Sequence, residues 1–442
     1  MDIAEQIRRH LPRNSIDTVP LIDHYCRDYR CVFADVRNYE SFKFLHLGII
    51  SDIKRKSLTQ ISQVFDISNQ KLHHFLTCST WSHNELEKTR LQSILSVFKD
   101  TPITVIIDET GDRKKGNKTD YVSRQYLGSI GKVDRGIVSV NAYGVYQNIT
   151  FPLITRIFKP KGTLKTDDTY QTKIQIATDI IDQLIDYGFK IKLVLADSLY
   201  GESSDFIDKL IEHQLDFIVA IRNNHGVWMP SNQKVRANKW YEFIRVFSNG
   251  KKENRHIREI IYGVRKEITY WQITTDIETM PENSTSFVMT NVKGSRTEQK
   301  KTIGNLYGQR TWIEYGFRQC KQELGWTDYI LRNSEDILKW WEIINSAYWM
   351  VSLNTKKISQ LWKKEDISEL KKGESISLRH PNFKNNNSWK STLTNYRIMI
   401  QPIIVFGLLL PWLKLVNSEI LCKGFNDLLI IANEGMSHFW TG

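Results

Sequence analysis

Cysteine is scarce in this chain, and the few cysteines do not form a recognisable set. Five occur among 442 residues, an odd number, and none belongs to a C-x-x-C pair. This usage argues against the disulfide framework of a small secreted domain and points to a reducing compartment. Cys26 and Cys31 lie near His24, but no second ligand pair follows at zinc-finger spacing. We therefore expect ordinary thiols and no zinc site.

The chain also lacks an uninterrupted apolar run of about 20 residues, the length that a membrane-spanning helix needs. The nearest candidate, residues 398–416, is interrupted by polar residues, prolines and a glycine: Gln401, Pro402, Gly407, Pro411 and Lys414. We expect a buried helix, or a pair of short helices, in that segment. The first ten residues contain no apolar stretch of a secretory signal. Both absences predict a cytoplasmic protein with no membrane partner.

Acidic residues are outnumbered by basic ones. The 61 Lys and Arg residues exceed the 49 Asp and Glu residues and give a formal net charge of +12. The cations are spread along the chain in short groups, at residues 54–56, 113–115, 251–252 and 300–301. A distributed basic surplus favours a polyanion such as nucleic acid as the partner, although many basic proteins bind none. The length and the 41% hydrophobic content suffice for about two to four domains.

The most informative pattern is Y-x2-R-x3-E-x6-K, formed by Tyr307, Arg310, Glu314 and Lys321. At 100° per residue, an α-helix places these four residues within about 60° of one another, so the spacing predicts one polar stripe. The neighbouring arc is apolar and would pack on a core: Leu306, Ile313, Phe317, Cys320 and Leu324. A carboxylate flanked by two cations and a phenol suits a metal ion beside a phosphodiester. The alternative is a charged, solvated helix face.

Two short apolar runs end abruptly in aspartate. T-V-I-I precedes Asp108 and K-L-V-L-A precedes Asp197, and each predicts a buried strand with an acid at its carboxyl end. Active-site groups often occupy such ends, because a rigid sheet holds them there. A single aspartate of this kind more often caps the next element, but the combination with Glu314 indicates a site. Glu109 competes with Asp108, yet strand alternation points it to the opposite face of the sheet.

These residues together resemble a known family. The order Asp108, Asp197, Glu314 is similar to the DDE triad of bacterial insertion-sequence transposases, and the Tyr-Arg-Glu-Lys pattern is the signature of their insertion-sequence-four superfamily. Three further segments resemble the seven-hundred-and-one branch of that superfamily: R-Q-Y-L-G-x-x-G-K at 124–132, D-x-x-Y-G from Asp197, and 317–325. The resemblance covers about residues 50–355.

The resemblance implies an α/β fold, with a ribonuclease-H-like catalytic core interrupted by a β-rich insertion and with helical N-terminal and C-terminal regions. The local patterns agree, since residues 101–221 read as strand, loop, three strands, helix, strand, helix and strand. We expect five segments: a helical DNA-binding domain at 1–100, the first part of the core at 101–221, the insertion at 222–292, the Glu-bearing helix of the core at 293–330, and a helical region at 331–442.

Two of these segments carry more detailed expectations. Strands are predicted at 240–247, 256–276 and 286–290 of the insertion. In the N-terminal segment, Ser57 would open a helix that runs to about Phe65, and a short turn leads into a second helix at 69–78. The pair is either a helix-turn-helix or an ordinary helical hairpin. As a DNA-binding motif it would offer four polar side chains, Gln70, Lys71, His73 and His74.

One feature of the family has no unambiguous counterpart. Members that form DNA hairpins at transposon ends hold a flipped base with a tryptophan of the insertion. Several aromatic residues are candidates for this role here, and each also suits a β-sheet core: Trp228, Trp240, Trp271 and Phe287.

The resemblance implies Mg²⁺ as the cofactor, with Mn²⁺ as a substitute and two ions in each active site. Asp108 would bridge both ions, while Asp197 and Glu314 would each complete one. Carboxylate oxygens are the ligands that these hard cations prefer. The expected contacts with DNA are Tyr307, Arg310 and Lys321, and further along the backbone Arg124 and Lys132.

The implied activity is metal-dependent cleavage of DNA at transposon ends, followed by strand transfer of the 3′-hydroxyl into target DNA. The implied partners are double-stranded DNA, as terminal inverted repeats and as target, and a second copy of the chain in a synaptic complex. The protein would act in the bacterial cytoplasm, at the nucleoid. Two alternatives stay open: a metal-dependent endonuclease of the same fold without strand transfer, and a non-catalytic DNA-binding protein. The presence of all three acids disfavours the second alternative.

Overall fold

The computed structural model describes residues 13–116, 118–128, 130–147, 149–223, 236–247, 250–261, 267–356, 388–416 and 418–437. The chain divides by its internal contacts into two compact units. One unit is Ile94–Arg318, and the other combines Met1–Ser93 with Gln319–Gly442. The first unit contains the described strands, and the described part of the second is helical.

The helices and strands of the described residues have the following bounds. The helices are α1 (Pro20–Cys26), α2 (Val36–Ile50), α3 (Leu58–Val64), α4 (Asn69–Thr77), α5 (His83–Phe98), α6 (Lys173–Asp186), α7 (Ser198–Gly201), α8 (Ser204–Glu212), α9 (Arg296–Gly308), α10 (Thr311–Glu323), α11 (Ser334–Leu353), α12 (Trp389–Val416) and α13 (Glu419–Ser437). The strands are β1 (Ile103–Arg113), β2 (Ser123–Leu127), β3 (Lys132–Tyr146), β4 (Ile149–Ile157), β5 (Ile191–Ala196), β6 (Phe217–Ile221), β7 (Arg236–Ala237), β8 (Tyr241–Val246), β9 (Lys252–Ile261), β10 (Thr269–Thr274) and β11 (Ser286–Thr290). Short 3-10 helices occupy Arg27–Val32 and Lys161–Thr163.

Five strands of the first unit form the ribonuclease-H-like core predicted from the sequence, in the spatial order β4-β3-β1-β5-β6. β3 is antiparallel to both β1 and β4, whereas β5 is parallel to β1 and β6 is parallel to β5. In chain order, β1, β3 and β4 form an antiparallel meander. α6 then leads to β5, and α7 and α8 lead to β6, because parallel neighbours need a crossover connection.

The strands of residues 222–292 continue this sheet. β11 pairs antiparallel with β6, and β10 and β9 follow outward, with β7 and β8 both paired to β9. The predicted strands at 240–247 and 286–290 are present as β8 and β11. The single strand predicted at 256–276 is wrong: the chain folds back, so that Tyr270 of β10 pairs with Ile260 of β9.

One hydrophobic core joins the strands of residues 222–292, the predicted insertion, to the central strands of the sheet. It contains Ile106 and Leu195 of the central strands, Phe243 and Trp271 of the insertion, and Ile313 of α10. Trp271 is fully buried, with its Nε1 donating to Thr269 Oγ1 at 2.8 Å. The insertion therefore gains its stability by burying apolar surface against the core, in the manner of one domain.

In the helical unit, α3 and α4 form the two short helices predicted after Ser57. Ser57 accepts a hydrogen bond from Gln60 N, and Ser68 accepts one from Lys71 N, so each helix has a polar N-cap. Phe75 is buried and stacks on the indole ring of Trp81. Of the polar side chains proposed for DNA, Gln70, His73 and His74 are exposed, while Lys71 pairs with Glu40 at 3.2 Å.

The segment expected to be a buried helix or two short helices is one 28-residue helix, α12. Pro402 and Pro411 lie inside it without ending it. Gly407 allows its backbone to approach α3, since a Cβ there would lie 1.7 Å from the Val64 carbonyl oxygen. The expected burial is wrong for much of the helix, because Leu408 and Leu415 are exposed. Among the described helices, α12 alone is long and apolar enough to cross a membrane by those two criteria.

Candidate active site

Asp108 lies in the middle of β1, and the prediction that the strand ends there is wrong. β3 pairs with β1 along its length and carries it on to Arg113, opposite Gly136. The parallel neighbour β5, in contrast, pairs with β1 only as far as Ile107 opposite Ala196. The Asp108 carboxylate therefore lies where the parallel part of the sheet stops, although its own strand continues as an antiparallel ribbon.

Asp197 follows β5 directly, as predicted, and is the N-cap of α7. Its Oδ1 accepts a hydrogen bond from Leu199 N at 2.9 Å. At Gly201 the turn approaches β6 so closely that a Cβ would lie 1.9 Å from the Ala220 carbonyl oxygen. Only glycine allows this approach. The turn is thus fixed on the sheet, and it holds Asp197 on the strand next to that of Asp108.

Glu109 and Asp108 turn to opposite sides of the sheet, as strand alternation predicts. Glu109 Oε1 lies 2.7 Å from the ammonium group of Lys173 in α6, and its Oε2 accepts a hydrogen bond from the Tyr200 hydroxyl at 3.4 Å. Asp108 instead contacts Arg310. Glu109 is therefore engaged by Lys173 and Tyr200, whereas Asp108 is engaged by Arg310.

The single helix predicted to carry Tyr307, Arg310, Glu314 and Lys321 is broken. α9 ends at Gly308 and α10 begins at Thr311. Between them Arg310 N donates to the Tyr307 carbonyl, three residues back instead of four. Tyr307 thus lies in the last turn of α9, Arg310 lies between the helices, and Glu314 lies in the first turn of α10. The apolar arc is confirmed where Ile313 is buried and Phe317 packs on the same core.

Arg310 is the centre of the site. Its Nη1 lies 3.3 Å from Asp108 Oδ2, and its Nη2 lies 3.1 Å from Glu314 Oε1. Tyr307 packs against the core cluster next to it. The guanidinium therefore lies between two of the predicted catalytic acids and links β1 to α10. The Glu314 side chain is half exposed, whereas Asp108 is buried.

Burial controls the electrostatics of the site. It raises the pKa of Asp108 to about 7; Arg310 opposes this increase, and Asp197 adds to it. Burial also raises the pKa of the Tyr307 phenol, against the effect of Arg310. A phenol with a raised pKa stays protonated at neutral pH and can donate a hydrogen bond. Asp108 can exchange a proton in the physiological range.

The remaining predicted contacts lie apart from the acids. Lys321 is in the last turn of α10, seven residues and about 10 Å of helix beyond Glu314. Arg124 and Lys132 are exposed on the β2–β3 ribbon. Lys132 is nine residues from Asn141, the β3 partner of Asp108, or about 30 Å along an extended strand. The ribbon therefore forms a basic surface at a distance from the acids.

Other residues that could serve as a catalytic acid or hold a flipped base make contacts within the fold. Glu323, the nearest alternative carboxylate on α10, pairs with Arg397 at 2.8 Å and also with Lys390. Trp271 is buried in the core, whereas Trp240 and Phe287 are partly exposed. The Arg258 guanidinium lies 4.3 Å above the Trp240 ring. Trp228 lies outside the described residues.

The donor set suits a hard divalent cation, since Asp108, Asp197 and Glu314 offer carboxylate oxygens. The described residues nevertheless contain no group of three or more His, Cys, Asp or Glu arranged to hold a metal ion. Instead, the Arg310 guanidinium contacts one oxygen of Asp108 and one oxygen of Glu314.

Sequence reasoning missed two residues close to the site. Asn141 lies directly opposite Asp108, is buried, and donates from Nδ2 to Ser139 O and Oγ at 3.0 Å each. Arg245 of β8 contacts the break between α9 and α10. For Arg245 the sequence does contain a signal. In a strand at 241–246 the charged Arg245 faces the buried side, whereas the apolar Ile244 and Val246 are exposed, which reverses the usual apolar-in, polar-out alternation.

Comparison with known proteins identifies the family. Residues 31–242 match the family model described as a DDE superfamily endonuclease. Residues 162–350 match the model described as a transposase DDE domain. The fold and these two matches thus define a DDE nuclease.

A curated protein of Microchaete diplosiphon, described as a probable transposase for insertion sequence element IS701, is 51% identical over 328 residues. The aligned region covers 74% of this chain and 86% of that protein. The chain belongs to the IS701 branch of the DDE transposases. It is an enzyme of DNA transposition, an endonuclease and strand transferase that binds DNA and depends on divalent cations.

Proposed function

We propose that the protein cuts DNA at the ends of its own element and joins the 3′-hydroxyl ends to target DNA, with Asp108, Asp197 and Glu314 as the catalytic acids. The observation that carries this proposal is the arrangement of Asp108 and Asp197 on adjacent strands, with Glu314 connected to Asp108 through Arg310. Two Mg²⁺ ions, or Mn²⁺ in their place, would supply activation of the attacking water or hydroxyl and stabilisation of the leaving oxygen. Asp108, Asp197 and Glu314 would hold these ions through their carboxylate oxygens.

The neighbouring side chains bind and orient DNA in this proposal. Arg310 can exchange its carboxylate partners for a phosphate, to which a guanidinium can donate two parallel hydrogen bonds. The Tyr307 phenol, protonated at neutral pH, can donate one hydrogen bond to a phosphate oxygen. Lys321 adds a positive charge about two helical turns from Glu314. Arg124 and Lys132 extend the basic surface along the β2–β3 ribbon.

We assign segment roles on the same basis. Residues 1–100 would bind the terminal inverted repeats, 101–221 and 293–330 would carry the chemistry, 222–292 would form the insertion, and 331–442 would support assembly. Two copies of the chain would hold two element ends in a synaptic complex, because both ends are cut and joined together. The protein would act in the cytoplasm at the nucleoid, where its DNA is.

Reconstitution with donor and target DNA tests this function against its alternatives. Sequencing the DNA that flanks the gene identifies the inverted repeats, which are then supplied on a donor fragment with a target plasmid and Mg²⁺. We expect cleavage at the repeat boundaries and joined products. Cleavage without joining would favour an endonuclease, and binding without cleavage would favour a non-catalytic DNA-binding protein.

A further inference from the structure

Strand β8 of the insertion lies along α9, the helix that precedes the catalytic Glu314. Asn305 of α9 donates from Nδ2 to the Ile244 carbonyl at 3.0 Å and accepts a hydrogen bond from Val246 N at 3.1 Å. Its side-chain amide thus pairs with the backbone of β8 as a neighbouring strand would. Gly304 lets the two elements approach, since a Cβ there would lie 2.2 Å from the Phe243 ring.

Arg245 of the same strand contacts the break between α9 and α10. Its Nη2 donates to the Gly308 carbonyl at 3.2 Å and to Thr311 Oγ1 at 3.3 Å. Thr311 Oγ1 in turn donates to the Gly308 carbonyl at 3.0 Å. A Cβ at Gly308 would lie only 3.1 Å from Arg245 Nε. The Gly308 carbonyl at the end of α9 thus accepts hydrogen bonds from Arg245 and from Thr311, the first residue of α10.

Arg245 is buried, and removing a charged side chain from water costs free energy. Only 8% of the residue is exposed, and burial is the main cause that lowers its pKa, to about 10. It stays protonated at neutral pH and lies over the Phe247 ring at 4.5 Å. Its Nη2 hydrogen bonds, to the Gly308 carbonyl and Thr311 Oγ1, both lie at the break between the two helices.

We propose that Arg245 is a positioning residue for Arg310 and Glu314, which it orients by fixing the break between α9 and α10. In a continuous helix, the Gly308 carbonyl would accept from Trp312 N four residues later. In the structure Trp312 N donates to the Gln309 carbonyl instead, and Arg245 satisfies the Gly308 carbonyl. The insertion thereby sets the direction of the turn that carries Arg310 and of the first turn of α10. This inference rests on the proposed catalytic role of Glu314.

The test compares Arg245→Met with Arg296→Met in the full-length protein. Arg296 is a matched control because it also joins α9 to the insertion, through Glu259 at 3.1 Å, but it lies at the opposite end of α9. Mn²⁺ binding to the complex with end DNA is measured by titration calorimetry, and kcat and KM for end cleavage are measured separately. We expect Arg245→Met to weaken Mn²⁺ binding and to lower kcat, each by about 10- to 100-fold, as the loss of a ligand-orienting contact does. KM for DNA should change little, Arg245→Lys should recover part of kcat, and Arg296→Met should match the wild type.

Thr311→Val keeps the proposal testable if Arg245→Met does not fold. It removes only the hydroxyl group that Arg245 and the Gly308 carbonyl share, so a smaller loss of Mn²⁺ binding and kcat in the same direction is expected. Wild-type Mn²⁺ binding and kcat in folded Arg245→Met, or in Thr311→Val, would overturn the proposal. Equal losses in Arg245→Met and Arg296→Met would also overturn it, since they would reflect general destabilisation. Glu314→Gln is assayed in parallel: if it cleaves normally, the proposed active site is wrong, whereas if it is inactive while Arg245→Met is normal, only the positioning role fails.

Discussion

Nη1 of Arg310 lies 3.3 Å from Oδ2 of Asp108, a residue 202 positions earlier in the chain. The same guanidinium reaches Glu314 with its other terminal nitrogen. One cation thus contacts two acids that we propose as catalytic. A metal ion bound by these acids would compete with Arg310 for them, and a DNA phosphate is a suitable new partner for the guanidinium.

The first prediction concerns Arg310 itself. Arg310→Ala should bind Mn²⁺ more tightly than the wild type when DNA is absent, because the competing guanidinium is gone. It should bind end DNA more weakly, and the slope of log affinity against log salt should fall by about one counterion. Calorimetry with Mn²⁺ and DNA-binding titrations at several salt concentrations measure both effects. Unchanged Mn²⁺ affinity together with an unchanged salt slope would contradict this role.

The raised pKa of Asp108 predicts a pH-dependent stability. Because burial raises this pKa from 3.8 to about 7, the folded protein holds the proton more tightly than the unfolded chain. The stability contribution is complete below about pH 4, is lost as the pH rises to 7, and stays lost above it. Asp108→Asn should therefore raise the free energy of unfolding at pH 8 by up to about 4 kcal/mol. Chemical denaturation in excess chelator should give nearly equal stabilities at pH 4, and a variant no more stable than the wild type at pH 8 would refute the assignment.

The same ionisation predicts how metal affinity depends on pH. Protons compete with the metal for Asp108 below its pKa of about 7, so the apparent affinity for Mn²⁺ should fall about tenfold per pH unit between pH 7 and 5. Calorimetric titrations in two buffers of different ionisation enthalpy would also detect the released proton. An affinity that is constant over this range would show that Asp108 is already ionised or is not a ligand.

The choice of metal gives a separate test. Cleavage of end-containing DNA should occur with Mg²⁺ or Mn²⁺ and should stop in excess chelator. Ca²⁺ takes similar oxygen ligands with longer and more variable geometry, so it should support DNA binding without cleavage. Gel analysis of end-labelled DNA under the three conditions measures this. Efficient cleavage in chelator would exclude the carboxylate site as its source.

The sequence predicted the core strands well, and it placed the proposed acids beside them, because both depend on local patterns. The apolar runs before Asp108 and Asp197 and the spacing around Glu314 lie within short windows of chain. The continuation of β1 beyond Asp108 was not predictable from them, because residues 109–113 are polar or small. That part of the strand exists through its pairing with β3, which begins about twenty residues further along the chain.

The break between α9 and α10 also depends on a residue far away in the chain, which local patterns do not reveal. The 3.6-residue period alone favoured one continuous helix through Tyr307, Arg310 and Glu314. The break depends on Arg245, which lies 63 positions before Gly308 and belongs to a strand of the insertion. The strands of the insertion share one sheet and one core with the central strands. This arrangement was also not predictable, because it rests on the long-range pairing of β11 with β6.

The proposed catalytic acids are tested most directly by comparing them with Glu109, the neighbour of Asp108 on β1. End cleavage and strand transfer are assayed in Mg²⁺ for Asp108→Asn, Asp197→Asn, Glu314→Gln and the matched control Glu109→Gln, whose side chain pairs with Lys173 on the other face of the sheet. The account predicts that the first three bind end DNA but neither cleave nor join it, while Glu109→Gln remains active. Wild-type cleavage by any of the first three, or loss of cleavage confined to Glu109→Gln, would contradict it.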